Sequence, residues 1–392
     1  MTTQTEAIST VETNEEKFQN GQVMTIVGGH FVHDTFTAFV APLLPLIIEK
    51  LSISLSAAGL LWGFVQIPAL LNPFIGYMAD KVSVRYFVIL APAVTATLMS
   101  SLGLAPTYLS LAILLFAAGI SVAAFHAPAP VMVGRISGNQ LGKGMSFFMA
   151  GGELGRTVGP LVAVWAVSAW GLEGMYRLMV VGWATSLFLY WRLHNISARS
   201  ERRQSLKEMF PAARRLFVPL IGVVVPRQFL TTALAVYLPT FMTMEGASLW
   251  VAGASLSIWE LAGVAGALTG GTLSDKLGRN VVLIVASISS SVLMLIFLNV
   301  QGWLLIPVLL ALGFAALSTA PVLLAIVQES LPNNKATANG LFLSITFLAR
   351  PVAAYFLGFI GDNAGLQSAY FWSAVISLIA VPAIFFLPKV KQ

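Results

Sequence analysis

Nine ionisable side chains stand inside apolar runs of this chain: His30, His33, His126, Asp34, Glu153, Glu260, Arg156, Arg227 and Arg350. The three arginines offer permanent positive charge and planar donor forks suited to phosphate, phosphonate or carboxylate. Burial raises a carboxylate's pKa and a neighbouring arginine lowers it, so an acid balanced between the two can exchange a proton. Histidine titrates nearer neutrality and can relay that proton or recognise a substrate. The expected roles are therefore substrate charge for Arg156, Arg227 and Arg350, proton transfer for Asp34, Glu153 and Glu260, and relay or recognition for His30, His33 and His126. Trp259, beside Glu260, is a candidate lining residue.

Other chemistries fit some of these residues. His30, His33 and Asp34, at i, i+3 and i+4, share a helix face and could hold a divalent metal with His126, although three arginines nearby would oppose it. The alternative function is thus a divalent metal ion transporter. A membrane hydrolase built on Asp, Glu and His is a third. Three acids balancing three bases can also be internal ion pairs that hold helices in register. Zero cysteines exclude thiolate chemistry, and neither Gly-x-x-x-x-Gly-Lys-Ser/Thr nor His-Glu-x-x-His occurs. The chain is read as a non-enzyme that needs no cofactor and no resident metal.

These residues must be positioned by membrane helices. The chain of 392 residues is 57% hydrophobic and only 10% charged, with mean hydropathy +0.84. Glu153 and Arg156 lie in Gly151-Gly-Glu-Leu-Gly-Arg-Thr-Val-Gly-Pro160, midway along an apolar run. A charge at that depth costs at least ~2.5–3.5 kcal/mol and should face protein or a wet cavity. Gly151, Gly155 and Gly159 recur every four residues, a smooth stripe for close helix packing. Pro128 and Pro130 remove helical hydrogen bonds after His126 and should kink its span.

Twelve spans are predicted, at 22–48, 55–79, 86–104, 108–134, 144–169, 174–192, 216–243, 250–273, 280–300, 303–327, 337–360 and 368–388. With the N-terminus inside, 17 of the 22 Lys/Arg fall on the cytoplasmic side, which sets the orientation. The basic loop then reads as a topology anchor rather than a nucleic-acid site. The expected organisation is a cytoplasmic, disordered tail (1–21, with no signal-peptide pattern), a six-helix bundle (22–193), a basic cytoplasmic linker (194–215) and a second bundle (216–392).

The halves repeat at an offset of 194 or 195. His33 falls on Arg227, Pro45 on Pro239, Gly119 on Gly313 and Arg156 on Arg350, while Gly76-Tyr-Met-Ala-Asp80-Lys81 matches Gly271-Thr-Leu-Ser-Asp275-Lys276. Parallel repeats of this kind describe a two-bundle transporter with its site at the bundle interface.

Gly271-Thr-Leu-Ser-Asp275-Lys276-Leu277-Gly278-Arg279 resembles the loop signature of the major facilitator superfamily. The first copy keeps Gly, Asp and a displaced Arg85 but lacks the second Gly. The resemblance implies an all-α integral membrane protein of twelve transmembrane helices in two pseudo-symmetric six-helix bundles, with Asp80, Asp275 and Arg279 bracing a cytoplasmic gate. His30-Phe-Val-His33-Asp34, Phe125-His126 and the glycine pattern of span five are similar to the fosmidomycin-resistance-type efflux proteins. Ala127 stands where that group usually has proline, and Glu153 and Arg156 add charge. The expectation is a proton-coupled efflux transporter of a small anionic or amphipathic compound. It is expected to be a monomer in the inner membrane among lipids, with both termini cytoplasmic.

Overall fold

The structure is a computed structural model that describes residues 18–72, 74–75, 78, 85–195, 210–331 and 335–388. Residues 1–17 of the predicted tail, most of the linker (196–209) and Asp80 lie outside these. Among the described residues every regular element is helical. In chain order the α-helices are α1 (Asn20–Thr37), α2 (Val40–Leu51), α3 (Leu55–Gln66), α4 (Arg85–Ser100), α5 (Tyr108–His126), α6 (Ala129–Ile136), α7 (Leu141–Gly174) and α8 (Met179–Leu193). They continue as α9 (Phe210–Met244), α10 (Leu249–Leu277), α11 (Arg279–Phe297), α12 (Leu305–Leu317), α13 (Thr319–Ser330), α14 (Lys335–Ser377) and α15 (Ala380–Ile384).

Local chemistry sets several of the ends. Ser54 and Ser248 accept the backbone N–H groups of Ala57 and Val251, and Thr107 forms a capping box with Ser110. α5 stops at His126, and Pro128 caps the start of α6, so the predicted kink follows the histidine directly. Nine helical segments among the described residues are long and apolar enough to cross a membrane. Two of these, Gly142–Leu193 and Gly340–Ile384, are 52 and 45 residues long. Each breaks at a glycine in the left-handed region, Gly171 (φ 73°) and Gly365 (φ 80°), conformations that a side chain would oppose. Two passes in each, together with the shorter apolar helix Leu55–Leu71, leave room for the twelve expected crossings.

The repeat is visible in the packing. Gly171 and Gly365 are themselves 194 residues apart. A Cβ on Gly119 would strike the carbonyl oxygen of Val65, and one on Gly313 that of Trp259, the same contact moved by 194 residues. Contacts between the halves exchange under the same shift: a Cβ on Gly59 would strike Ala354 O, where α3 packs on α14, and one on Gly253 would lie 3.5 Å from Pro160 O, where α10 packs on α7. Within the first half α7 lies along α1. A Cβ on Gly151, Gly155 or Gly159 would meet the backbone oxygen of Val27, Phe31 or Thr35 respectively, as the four-residue spacing requires. That approach carries Glu153 and Arg156 toward the second half, and His30 and Asp34 toward α7.

Candidate functional site

α1, α4, α5 and α7 assemble the first polar group. His30 Nδ1 lies 2.8 Å from the carbonyl oxygen of Phe148, and its Nε2 is 3.2 Å from His126 Nε2 and 3.3 Å from Asp34 Oδ2. His126 Nδ1 lies 3.0 Å from Val122 O, and its Nε2 is 3.4 Å from Asp34 Oδ1. His33 bridges Asp34 Oδ1 at 3.0 Å and Thr95 Oγ1 at 3.1 Å, and Thr95 donates to Ser121 at 2.8 Å. The imidazoles stack on apolar rings, His30 on Phe148 and His33 on Phe125. His30, Asp34 and His126 offer donor atoms within 4.8 Å of one another, a spacing that could hold a metal ion. His33 stands outside that triad because both its ring nitrogens are already engaged, which corrects the four-ligand set expected from its helix face.

α7, α10 and α14 assemble the second group. Arg156 pairs with Glu153 one turn earlier on α7, and its Nε lies 3.9 Å from Glu260 Oε2 on α10. The first contact is a full ion pair and the second a looser reach between halves. The charges of Arg156, Glu260 and Glu153 all act on Arg350 of α14, whose guanidinium lies 5.6 Å from the ring of Phe347. The two groups also feel each other, since Asp34 acts on Arg156 and Arg156 on His126. Arg156 keeps 40% and His126 34% of its side chain exposed. At mid-helix such exposure is tolerated toward a hydrated cavity, not toward lipid.

Two expected members are elsewhere. Arg227 is buried and donates to Ser287 Oγ at 2.7 Å, Ala316 O at 2.9 Å and Thr319 Oγ1 at 2.9 Å. Among the described residues no carboxylate pairs with it. It repeats in the second half the tie that His33 makes to Thr95 in the first. Trp259 is 1% exposed in the second half's apolar core, so it packs rather than lines. The expected balance of three acids and three bases changes accordingly. With Arg227 apart, Glu153 and Glu260 share Arg156 and Arg350, while Asp34 is held among His30, His33 and His126.

Of the predicted gate residues, Arg279 bridges Asp275 at 2.7 Å and Glu329 at 2.7 Å and also reaches Ser274, tying the end of α10 to α13. Glu329, Thr95, Ser121 and the Phe148 carbonyl were not legible as partners. Each belongs to a helix whose facing neighbour is set only by packing.

A polytopic helical protein with ionisable side chains gathered at mid-helix, between helices of both halves, has the architecture of a secondary transporter. The chain belongs to the Major Facilitator Superfamily, whose family model matches residues 26–354. It is therefore a transporter of small molecules embedded in a membrane, not an enzyme. It is 23% identical to the fosmidomycin resistance protein of Escherichia coli strain K12 over 369 residues, covering 91% of this chain and 90% of that one. It is also 23% identical to the uncharacterized MFS-type transporter YfnC of Bacillus subtilis strain 168 over 388 residues, covering 94% and 93%. Among solved structures, a D-xylose-proton symporter superposes with TM-score 0.77 at 16% identity, covering 96% of this chain and 99% of that one. A bacterial homologue of the human lysosomal transporter Spinster, inward-facing and occupied, gives TM-score 0.78 at 14% identity, covering 94% and 96%.

Proposed function

We propose that this protein is a proton-coupled transporter that exports a small anionic or amphipathic compound by alternating access. Its two bundles, 22–193 and 216–392, rock about the cavity. The observation that carries the reading is the position of Arg156, which pairs with Glu153 on its own helix and reaches Glu260 across the halves. An arginine shared by two acids has a competitor for any incoming anion. Either ligand breaks the bridge between α7 and α10, an anion by taking the Arg156 guanidinium and a proton by neutralising Glu260. The bridged, empty carrier is locked, so the anion carries it outward and the proton carries it back.

The export direction rests on the likeness to the fosmidomycin resistance protein. The charge bias of the loops supports an inner-membrane location with both termini cytoplasmic. We propose that it acts as a monomer. Fosmidomycin is the first compound to test, followed by other phosphonates and organic acids. Inverted vesicles containing the protein should accumulate one of them when acidified inside, and collapsing the gradient should stop uptake. Uptake unaffected by gradient collapse would exclude proton coupling, and no uptake of any anion would exclude the substrate class.

A further inference from the structure

His30 and His126 are wired alike. The Nδ1 atom of each lies at hydrogen-bond distance from a backbone carbonyl, 2.8 Å from Phe148 O and 3.0 Å from Val122 O. A carbonyl oxygen only accepts, so both Nδ1 atoms carry the hydrogen and each neutral ring presents a lone pair at Nε2. Those lone pairs face one another at 3.2 Å, with the Asp34 carboxylate 3.3 and 3.4 Å away. Three acceptors converging with no hydrogen between them repel unless a cation sits among them.

The spacing identifies the cation. Metal–ligand bonds of about 2.0–2.1 Å at tetrahedral angles hold donor atoms about 3.3 Å apart. A proton needs only two of these atoms, whereas here a third converges and all three are held from behind. The two imidazoles are fixed by their carbonyls, and Asp34 by His33, itself anchored on Thr95 and through it on Ser121. Such outer contacts set the tautomer and orientation of metal-ligating histidines. The geometry points to a divalent first-row transition-metal site formed by His30 Nε2, His126 Nε2 and the Asp34 carboxylate, with His33 as a positioning residue. Two imidazoles and a carboxylate suit zinc, iron, cobalt or manganese. The remaining coordination positions open on the His126 side, the accessible face of the triad. Arg156 does not prevent occupancy, because Glu153 and Glu260 offset its charge. Of the three acids expected to carry the proton, Asp34, Glu153 and Glu260, only Asp34 is a ligand here, and the Glu260 reading of proton coupling does not depend on the metal.

The test is metal binding by the full chain, purified in detergent without a polyhistidine tag and stripped with chelator. Titration with Co2+ should give the visible spectrum of a nitrogen- and oxygen-ligated four- or five-coordinate ion, saturating at one per chain and displaced by Zn2+. The spectrum should vanish in His30→Ala, His126→Ala and Asp34→Asn. His33→Ala should keep it with affinity lowered about 10–100-fold. X-ray absorption at the zinc edge of the wild-type protein, which requires no variant to fold, should show two imidazole nitrogens and a carboxylate oxygen. A wild-type chain that takes up no cobalt or zinc, or an absorption spectrum without imidazole ligands, overturns the proposal.

Discussion

Asp362 accepts the backbone N–H groups of Leu55 at 2.7 Å and Ser56 at 3.0 Å, so a carboxylate from α14 caps the first turn of α3 across the interface between the halves. Beside it the Tyr237 hydroxyl is 3.0 Å from Leu55 O and 2.8 Å from Ala354 O. In the proposed alternating-access cycle these contacts act as a latch at this end and have to break for it to open. Asp362→Ala removes a capping interaction of about 1 kcal/mol. Hydrogen exchange at the amides of Leu55 and Ser56 should speed up roughly five-fold, with little change in helices far from the latch. Unchanged exchange would show that the cap does not hold the end closed.

Arg156 and Arg227 separate function from folding. Arg156→Ala and Arg350→Ala should abolish transport while the variants insert and melt normally. Arg227→Ala should instead destabilise the second half by about 1–3 kcal/mol, because Ser287, Ala316 and Thr319 lose a buried donor. Transport in proteoliposomes and thermal unfolding followed by size exclusion test both halves of the contrast.

Glu260→Gln imitates the protonated acid. With Glu153, Arg156 and Arg350 in place, the variant should bind substrate anion at alkaline pH at least as well as wild type does at acidic pH. It should exchange substrate across the membrane without responding to a proton gradient. Counterflow and gradient-driven uptake on one preparation distinguish that outcome from simple inactivation.

Packing of α7 on α1 leaves no space at the glycine stripe. A Cβ at Gly155 would strike Phe31 O and lie 3.0 Å from the Thr35 nitrogen. Gly155→Leu should therefore cost about 1–3 kcal/mol, read as a lowered melting temperature. Gly152→Ala acts on the polar group instead, since its methyl would lie 2.5 Å from the His30 ring and 3.0 Å from Asp34 Oδ2. It should alter ligand binding at the histidine cluster more than it lowers stability.

Much of this architecture was written locally. Apolar runs, the glycine period in α7, the prolines after His126 and the offset of 194 depend on near neighbours or on self-similarity. They accordingly forecast helices, a close packing face along α7, a break after the histidine and an internal repeat. The ionisable residues could be named on the same grounds, because any charge inside an apolar run must be satisfied by protein or water.

Which of them meet was decided only in three dimensions. Equal depth along separate helices does not say which way a helix is turned, and rotation placed Arg227 against Ser287 and Thr319 rather than beside Arg156. The same freedom settled that His33 supports Asp34 while His126, nearly a hundred residues away, completes the triad with His30. Partners such as Thr95, Glu329 and the Phe148 carbonyl carry no local mark, since a hydrogen bond between helices depends on packing geometry rather than on spacing within either one.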